Sequence, residues 1–493
     1  MKYSRLLLLV SIFIISIFLF NCDDNNGNSL NIAENVSNYL EMLGKNPDTI
    51  RVGDSYKDLG VKIVDPSIVI GSLNVESNLD TTKAGKYSII YSIMTLDSNI
   101  VSLERKVYVI FDTMHVVFEG PLTLDNPKKI YIVDGNYYST EGDIIIGKNV
   151  DVWFINNSTS KISNGTLIIN EGATFRFDRE SYINIQDSGR IEVLGSDSLM
   201  VKFMPLISDS IYYWGQRFGE DITDANFSIR IQFSASKNNI FNYAYIENAL
   251  TGIYIEKNPN SVIIKNSIFK NNLNYGIYSE DDGIETLENN TFVNINKYDI
   301  AISPRDLLDI SENNFFQKDI FVVNTPDEYL DKSGTIPSLT YYLEYGIEIS
   351  GKDSLIEVSV SPGARFIFPQ DGYISVGTNT KFICEGTKED SIIFEGEKYW
   401  GYEASIPYGI LIDDFSEGAV FRYVKFINSK TAILVQRENA LDISNSDILN
   451  YQYYGIYVEC SEQCPQNIDD TTIKFSTDSQ KKVADIYLEY LQD

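Results

Sequence analysis

The chain has 493 residues, too many for one compact core, so two or three domains or an elongated repeat array is expected. With 13 % aromatic and 22 % charged residues it can bury enough apolar surface to fold, which excludes wholesale disorder. Its 40 Lys and Arg against 69 Asp and Glu, a net charge of −29, argue against nucleic-acid phosphate or an anionic membrane surface as partner.

At the N-terminus, Lys2 and Arg5 precede the apolar run Leu6 to Phe20, which is shorter than the ~20 residues a spanning helix needs. The following "LFNC" resembles a bacterial lipobox, with Asn21 where the pattern has a small residue. That resemblance implies a signal peptide over residues 1–21, cleavage before Cys22, lipid on Cys22 and attachment to the membrane through that lipid only. Residues 22–45 open with "DDNNGNS" and have the composition of a tether.

Residues 46–112 alternate apolar and polar positions between turns at Gly53, Gly60, Gly85 and "DSN", the pattern of a small β-domain. "VGDSYKDLGV" with "DTTKAGKYSIIYS" and a closing "RKVYVI" resembles the immunoglobulin-like module of bacterial envelope proteins. The resemblance implies a spacer or adhesive role.

From Glu119 onward the chain repeats itself. "NSIFKN", "NNTFVN" and "ENNFFQ" recur at a spacing of 23 residues, as from Phe269 to Phe292, and "AYIEN" fits one coil earlier. Ile246, Phe269, Phe292 and Phe315 are then successive rungs at one position, and Asn248, Asn271, Asn294 and Gln317 at another. Segments rich in Ile, Asn, Tyr, Phe and Thr, with "GIYIE", "GIYSE" and "GIYVE" following Gly turns, are strands and not helices. Stacked coil on coil, their inward residues make a continuous core.

A longer duplication overlies the period. "EGATFRFDRESYINI" is echoed by "SPGARFIFPQDGYISV" from Gly172 and Gly363, "YYWGQR" by "YWGYEA", and "FNYAYIENALTGIYI" by "FRYVKFINSKTAILV". These features resemble the right-handed parallel β-helix of pectate lyases, polygalacturonases, tailspikes and bacterial surface proteins. The expected fold is all-β: a β-helix over residues 119–490, in halves at about 119–325 and 335–490, after an immunoglobulin-like β-sandwich. An even period gives ~16 coils at ~4.7 Å each. Whether the halves form one continuous rod stays open.

Chemistry is sparser. Polygalacturonases imply an Asp trio with a Gly-His-Gly, and the sole histidine, His115, precedes the β-helix. Pectate lyases imply an Arg base beside a calcium-holding acidic cluster. The acidic pairs Asp281–Asp282 and Asp413–Asp414 are the catalytic candidates, against a reading as solvated turns. Gly219 to Asn226 offers oxygens of the kind calcium takes but lacks the spacing of a known loop, so the expectation is no cofactor, with calcium the alternative. One histidine and four cysteines give no zinc set; Cys384 reads as a buried thiol, and the pairing of Cys460 with Cys464 stays open.

Tyr212, Tyr213 and Trp214, and their duplicates Tyr399, Trp400 and Tyr402, are the candidate ligand-binding residues, because flat rings on a β-helix flank match the C–H faces of sugars; packing under a loop is the competing reading. The functional expectation is therefore a lipid-anchored envelope or outer-surface protein that binds a glycan or an extracellular protein. The alternative is a polysaccharide lyase or glycoside hydrolase with an unrecognised acidic site.

Overall fold

The computed structural model describes residues 36–139, 141–207, 212–216, 226–257, 261–323, 329–413, 415–436, 440–460, 467–477 and 479–490. They part into two compact units between Asp112 and Thr113.

In the first unit, strands Gly85–Thr95 and Ile100–Ile110 pair antiparallel across the "DSN" turn, flanked by Asp48–Arg51 and Val69–Ser77. Alternation sets the faces: Ile89, Tyr91 and Val107 are buried together, while Ile90 and Met94 point outward. Arg105 is only 1 % exposed. Its guanidinium donates to the carbonyls of Leu43, Lys45 and Gly60 and pairs with Asp58, so the buried charge is satisfied.

The second unit is a parallel β-solenoid of about 13 turns. This is fewer than an even period predicts, because excursions such as residues 401–409 and the 3-10 helix Pro304–Asp309 lengthen individual coils. Each turn lays down three strands, and like residues stack. On one face Phe203, Ile246, Phe269 and Phe292 are register partners, with the rings of Phe269 and Phe292 5.0 Å apart. On the next, the Gly-Ile-Tyr face, Ile229, Ile253, Ile277 and Ile300 align. The second half repeats the scheme with Tyr341, Phe366, Phe394 and Phe426, and with Ile347, Ile374, Ile410, Ile433 and Ile456. The glycines that begin the duplicated phrase, Gly172 and Gly363, both turn through positive φ, at 74° and 86°.

One expected rung is displaced. Phe315 is 58 % exposed, and Phe316 instead stacks on Phe292 at 5.1 Å. The spacing is locally 24 residues, from Asn290 to Asn314 and from Phe292 to Phe316, so Phe315 falls on the opposite face, as a single-residue slip requires. The asparagine rungs hold: Asn294 donates its amide to Asn271 Oδ1 at 3.3 Å, and its backbone N–H to Gln317 Oε1 at 2.8 Å. They also have a backbone reason, since Asn248, Asn271 and Asn294 sit at φ of 53°, 54° and 53°, the left-handed corner conformation that asparagine tolerates.

The halves form one solenoid with one core, extending from Val116 to Ile473. They are joined with an offset. Strand Tyr298–Ile302 lies on the Gly-Ile-Tyr face of the first half; it pairs with Ile320–Val322, which pairs with Thr340–Leu343, the start of the phenylalanine face of the second half. The other two faces of the second half begin anew, at Tyr329–Leu330 and Gly334–Ile336.

Candidate functional site

The duplicated Tyr-Trp segments divide their side chains between core and surface. Adjacent residues on an extended chain point to opposite sides. Trp214 and Trp400 point inward: each is fully buried, stacked 4.0 Å above a ring of the phenylalanine face, Phe177 in one half and Phe368 in the other. Each indole N–H donates to a backbone carbonyl at 2.9 Å, of Glu247 and of Ile427. The expectation that these indoles stack on a ligand is therefore corrected: burial leaves no free ring face, and both are core residues.

Their tyrosine neighbours are differently placed. Tyr213 opens onto a cavity of about 350 Å³ at the corner after the phenylalanine face, lined by Asn271, Asn272, Asn294, Asn296 and Lys318. Tyr399 opens onto one of about 290 Å³ at the matching corner of the second half, with Lys398, Lys430, Gln452, Tyr453 and Lys481. Both are at the small end of ligand clefts, ~300–1,000 Å³. Tyr399 donates its hydroxyl to Asn450 Oδ1 at 3.1 Å, and Asn450 donates to Asn428 Oδ1 at 2.6 Å, so the asparagine rungs brace this pocket too. Tyr212 is half-buried and hydrogen-bonded to Asp178, while Tyr402, 38 % exposed, packs edge-on to Tyr373.

A third groove escaped the sequence reading. Tyr137, Tyr138, Tyr182, Lys161, Glu180 and Gln216 line an open cavity of about 460 Å³ over the first coils. The "NYYS" doublet was the available signal, but nothing in the period marked which face it occupied.

The acidic pair Asp281–Asp282 lies at the junction of the halves, where charges converge around the helix Pro304–Asp309. Arg305 grips both oxygens of the fully buried Asp281, at 3.0 and 3.2 Å, and reaches Asp331 at 2.9 Å. Lys257 adds a contact to Asp281 at 2.7 Å. Lys332 joins Asp282, at 3.0 Å, to Asp309, at 2.7 Å. Oxygens of Asp282, Asp306 and Asp309 lie within 4.8 Å of one another, and the Lys332 ammonium bridges two of the three residues. These pairs tie coils together where two faces lack strand pairing. Asp281 has no exposed surface and cannot touch a glycosidic bond, so for it the catalytic expectation is replaced by a structural role; Asp282, partly exposed, is held by Lys332. Asp413 is half-buried in a turn, its N–H on Val376 O, and Asp414 lies outside the described residues.

Asp306 accepts from Ile284 N at 2.9 Å, from Ser303 Oγ at 3.1 Å and from Ser303 N at 3.4 Å, the last being the capping-box bond to the N-cap of the helix. Burial outweighs these bonds and pushes its carboxyl up to about 7. A raised carboxyl stabilises the fold fully below its unfolded value, ~3.9, and loses that contribution as pH rises through the folded value. Asp306→Asn is expected to flatten the fall in unfolding midpoint between ~4 and about 7, as measured by thermal scans of both proteins; equal slopes would show that the carboxyl ionises freely.

Cys22, Cys464 and most of Gly219 to Asn226 lie outside the described residues, as does the side chain of Cys460. Cys384 is a free, buried thiol held well above its ordinary pKa by burial. No helix among the described residues is long and apolar enough to cross a membrane.

Residues 40–109 match the family described as bacterial surface protein, Ig-like domain, and residues 196–353 the family described as periplasmic copper-binding protein (NosD). The solved family 28 exopolygalacturonase of Yersinia enterocolitica is similar at 12 % identity, over 83 % of this chain and 85 % of that one, with a TM-score of 0.26. No curated protein matches. Copper does not fit the residues present. The matched segment holds neither His nor Cys, and its thioethers, Met200 and Met204, lie four residues apart along an extended chain, ~13 Å, too far to share an ion. The chain thus joins an immunoglobulin-like domain of the bacterial surface-protein kind to a right-handed, pectin-lyase-like parallel β-helix, the makeup of an envelope or extracellular protein.

Proposed function

We propose that this is a lipid-anchored surface protein whose β-helix binds a glycan through its flank, one contact in each half. The observation that carries the reading is the paired pockets. The duplication preserves a tyrosine beside a buried tryptophan at the same corner of both halves, and each tyrosine lines a cavity of sugar-binding character, a ring among amides or ammoniums. Packing alone asks for the tryptophan and does not ask that the half-buried tyrosine beside it open onto a cavity in both halves.

Retention on immobilised polysaccharides tests it. Tyr213→Ala and Tyr399→Ala are each expected to weaken retention and together to abolish it, with thermal unfolding unchanged because neither ring is in the core. Failure of the wild-type chain to be retained on any of a broad panel would defeat the glycan reading and favour a protein ligand. New reducing ends or unsaturated products on long incubation would favour the lyase or hydrolase alternative.

Anchoring rests on Lys2, Arg5, the apolar run and Cys22. Cys22→Ser is expected to end incorporation of labelled fatty acid and leave a precursor of higher mass on gels. Undiminished labelling would sink the lipoprotein reading.

A further inference from the structure

The two pockets differ in a way the fold does not require. Where "ALTGIYI" of the first half places Leu250, fully buried, "SKTAILV" of the second places Lys430, 3 % exposed. Burying an ammonium costs several kcal/mol unless it is paired, so a lysine in a leucine's place calls for an explanation beyond packing. Lys430 Nζ donates to Gly401 O at 2.6 Å and pairs with Glu403 at 2.7 Å and Asp371 at 3.2 Å. Those carboxylates are 66 % and 54 % exposed, so the buried charge is tied into the wall of the pocket.

Lys398 and Lys481 line the same pocket, both exposed, and neither has a carboxylate in ion-pair range among the described residues. Lys481 Nζ sits 5.7 Å from the ring centre of Tyr453. The first pocket is lined instead by amides, and its one ammonium, Lys318, is spent on the backbone carbonyls of Asn296 and Lys297. Two ammoniums without carboxylate partners, beside two tyrosine rings and with the lining carboxylate of Glu403 already held by Lys430, suit a sugar that carries an oxyanion. The net charge of −29 repels a dense polyanion and leaves local attraction to a single charge, which acts within a Debye length of ~8 Å.

We propose that the second-half pocket takes the carboxylate, sulfate or phosphate of an acidic sugar unit set in an otherwise neutral glycan, while the first takes a neutral unit. This rests on the glycan reading above. Saturation-transfer NMR titration of the full protein tests it with four probes: a methyl glucuronide, a sulfated glucose, a phosphorylated glucose and neutral methyl glucoside. At least one charged probe is expected to bind ~10-fold tighter than methyl glucoside, the gain of one charge-assisted contact. Lys398→Gln with Lys481→Gln should erase that preference and leave the unfolding midpoint in place, since both side chains are exposed. The three charged probes separate the oxyanions from one another.

The pocket assignment is overturned if no charged probe outbinds methyl glucoside, or if the preference survives in the double variant. A chain that is retained on polysaccharide through Tyr213 and Tyr399 yet shows no charge preference loses only the oxyanion pocket. A chain retained on no polysaccharide loses the glycan reading as a whole.

Discussion

Arg305→Met is expected to destabilise the solenoid by about 3–5 kcal/mol, the cost of leaving a buried carboxylate without its cation. Asp281 has no exposed surface, and Lys257, whose side chain is 62 % exposed, cannot replace a guanidinium that reaches both Asp281 oxygens through Nη1 while its Nε and Nη2 hold Asp331. The variant should unfold at lower denaturant and be cleaved by protease first near residues 303–331. Combining Arg305→Met with Asp281→Leu should recover much of the loss, because removing both charges removes the desolvation penalty that removing one exposes. A shift within about 0.5 kcal/mol for Arg305→Met would mean that the junction is held by strand pairing alone.

Trp214→Ala and Trp400→Ala should each cost about 3–5 kcal/mol, as expected for emptying a buried indole's place. The stacked partners Phe177 and Phe368 would face cavities, and the carbonyls of Glu247 and Ile427 would lose their donors. Binding should fall only as far as folding does, so the folded fraction of either variant should be retained on polysaccharide like wild type. Full stability with lost retention would reverse the assignment of tryptophan to the core and tyrosine to the surface.

The repeat was legible because stacking demands like residues at like positions: Phe269 and Phe292 are register partners as the spacing required. Phe315 failed because period alone cannot see one inserted residue, and side chains alternate every residue. The aromatic clusters were legible as a place but not as a direction. "YYW" and "YW" do not say which ring turns inward; only the strand's orientation does. The junction charges carried a signal that passed unread: Asp281, Arg305 and Asp331 follow one another at 24 and 26 residues, close to one coil, with alternating sign. Opposite charges one coil apart are neighbours in a solenoid. The face offset had no counterpart in the sequence, because it depends on which strand the first strand of the second half joins.

That offset sets what the paired pockets can do together. Equivalent corners of the two halves are displaced by one of three faces, so a straight polymer lying along one edge meets one pocket and passes the other by. If both pockets take glycan as proposed, pockets turned to different sides would grip two strands, and a protein that grips two strands is a bridge. Soluble glycan mixed with it at matched site concentrations should therefore cloud or gel, and clear again when either partner is in excess.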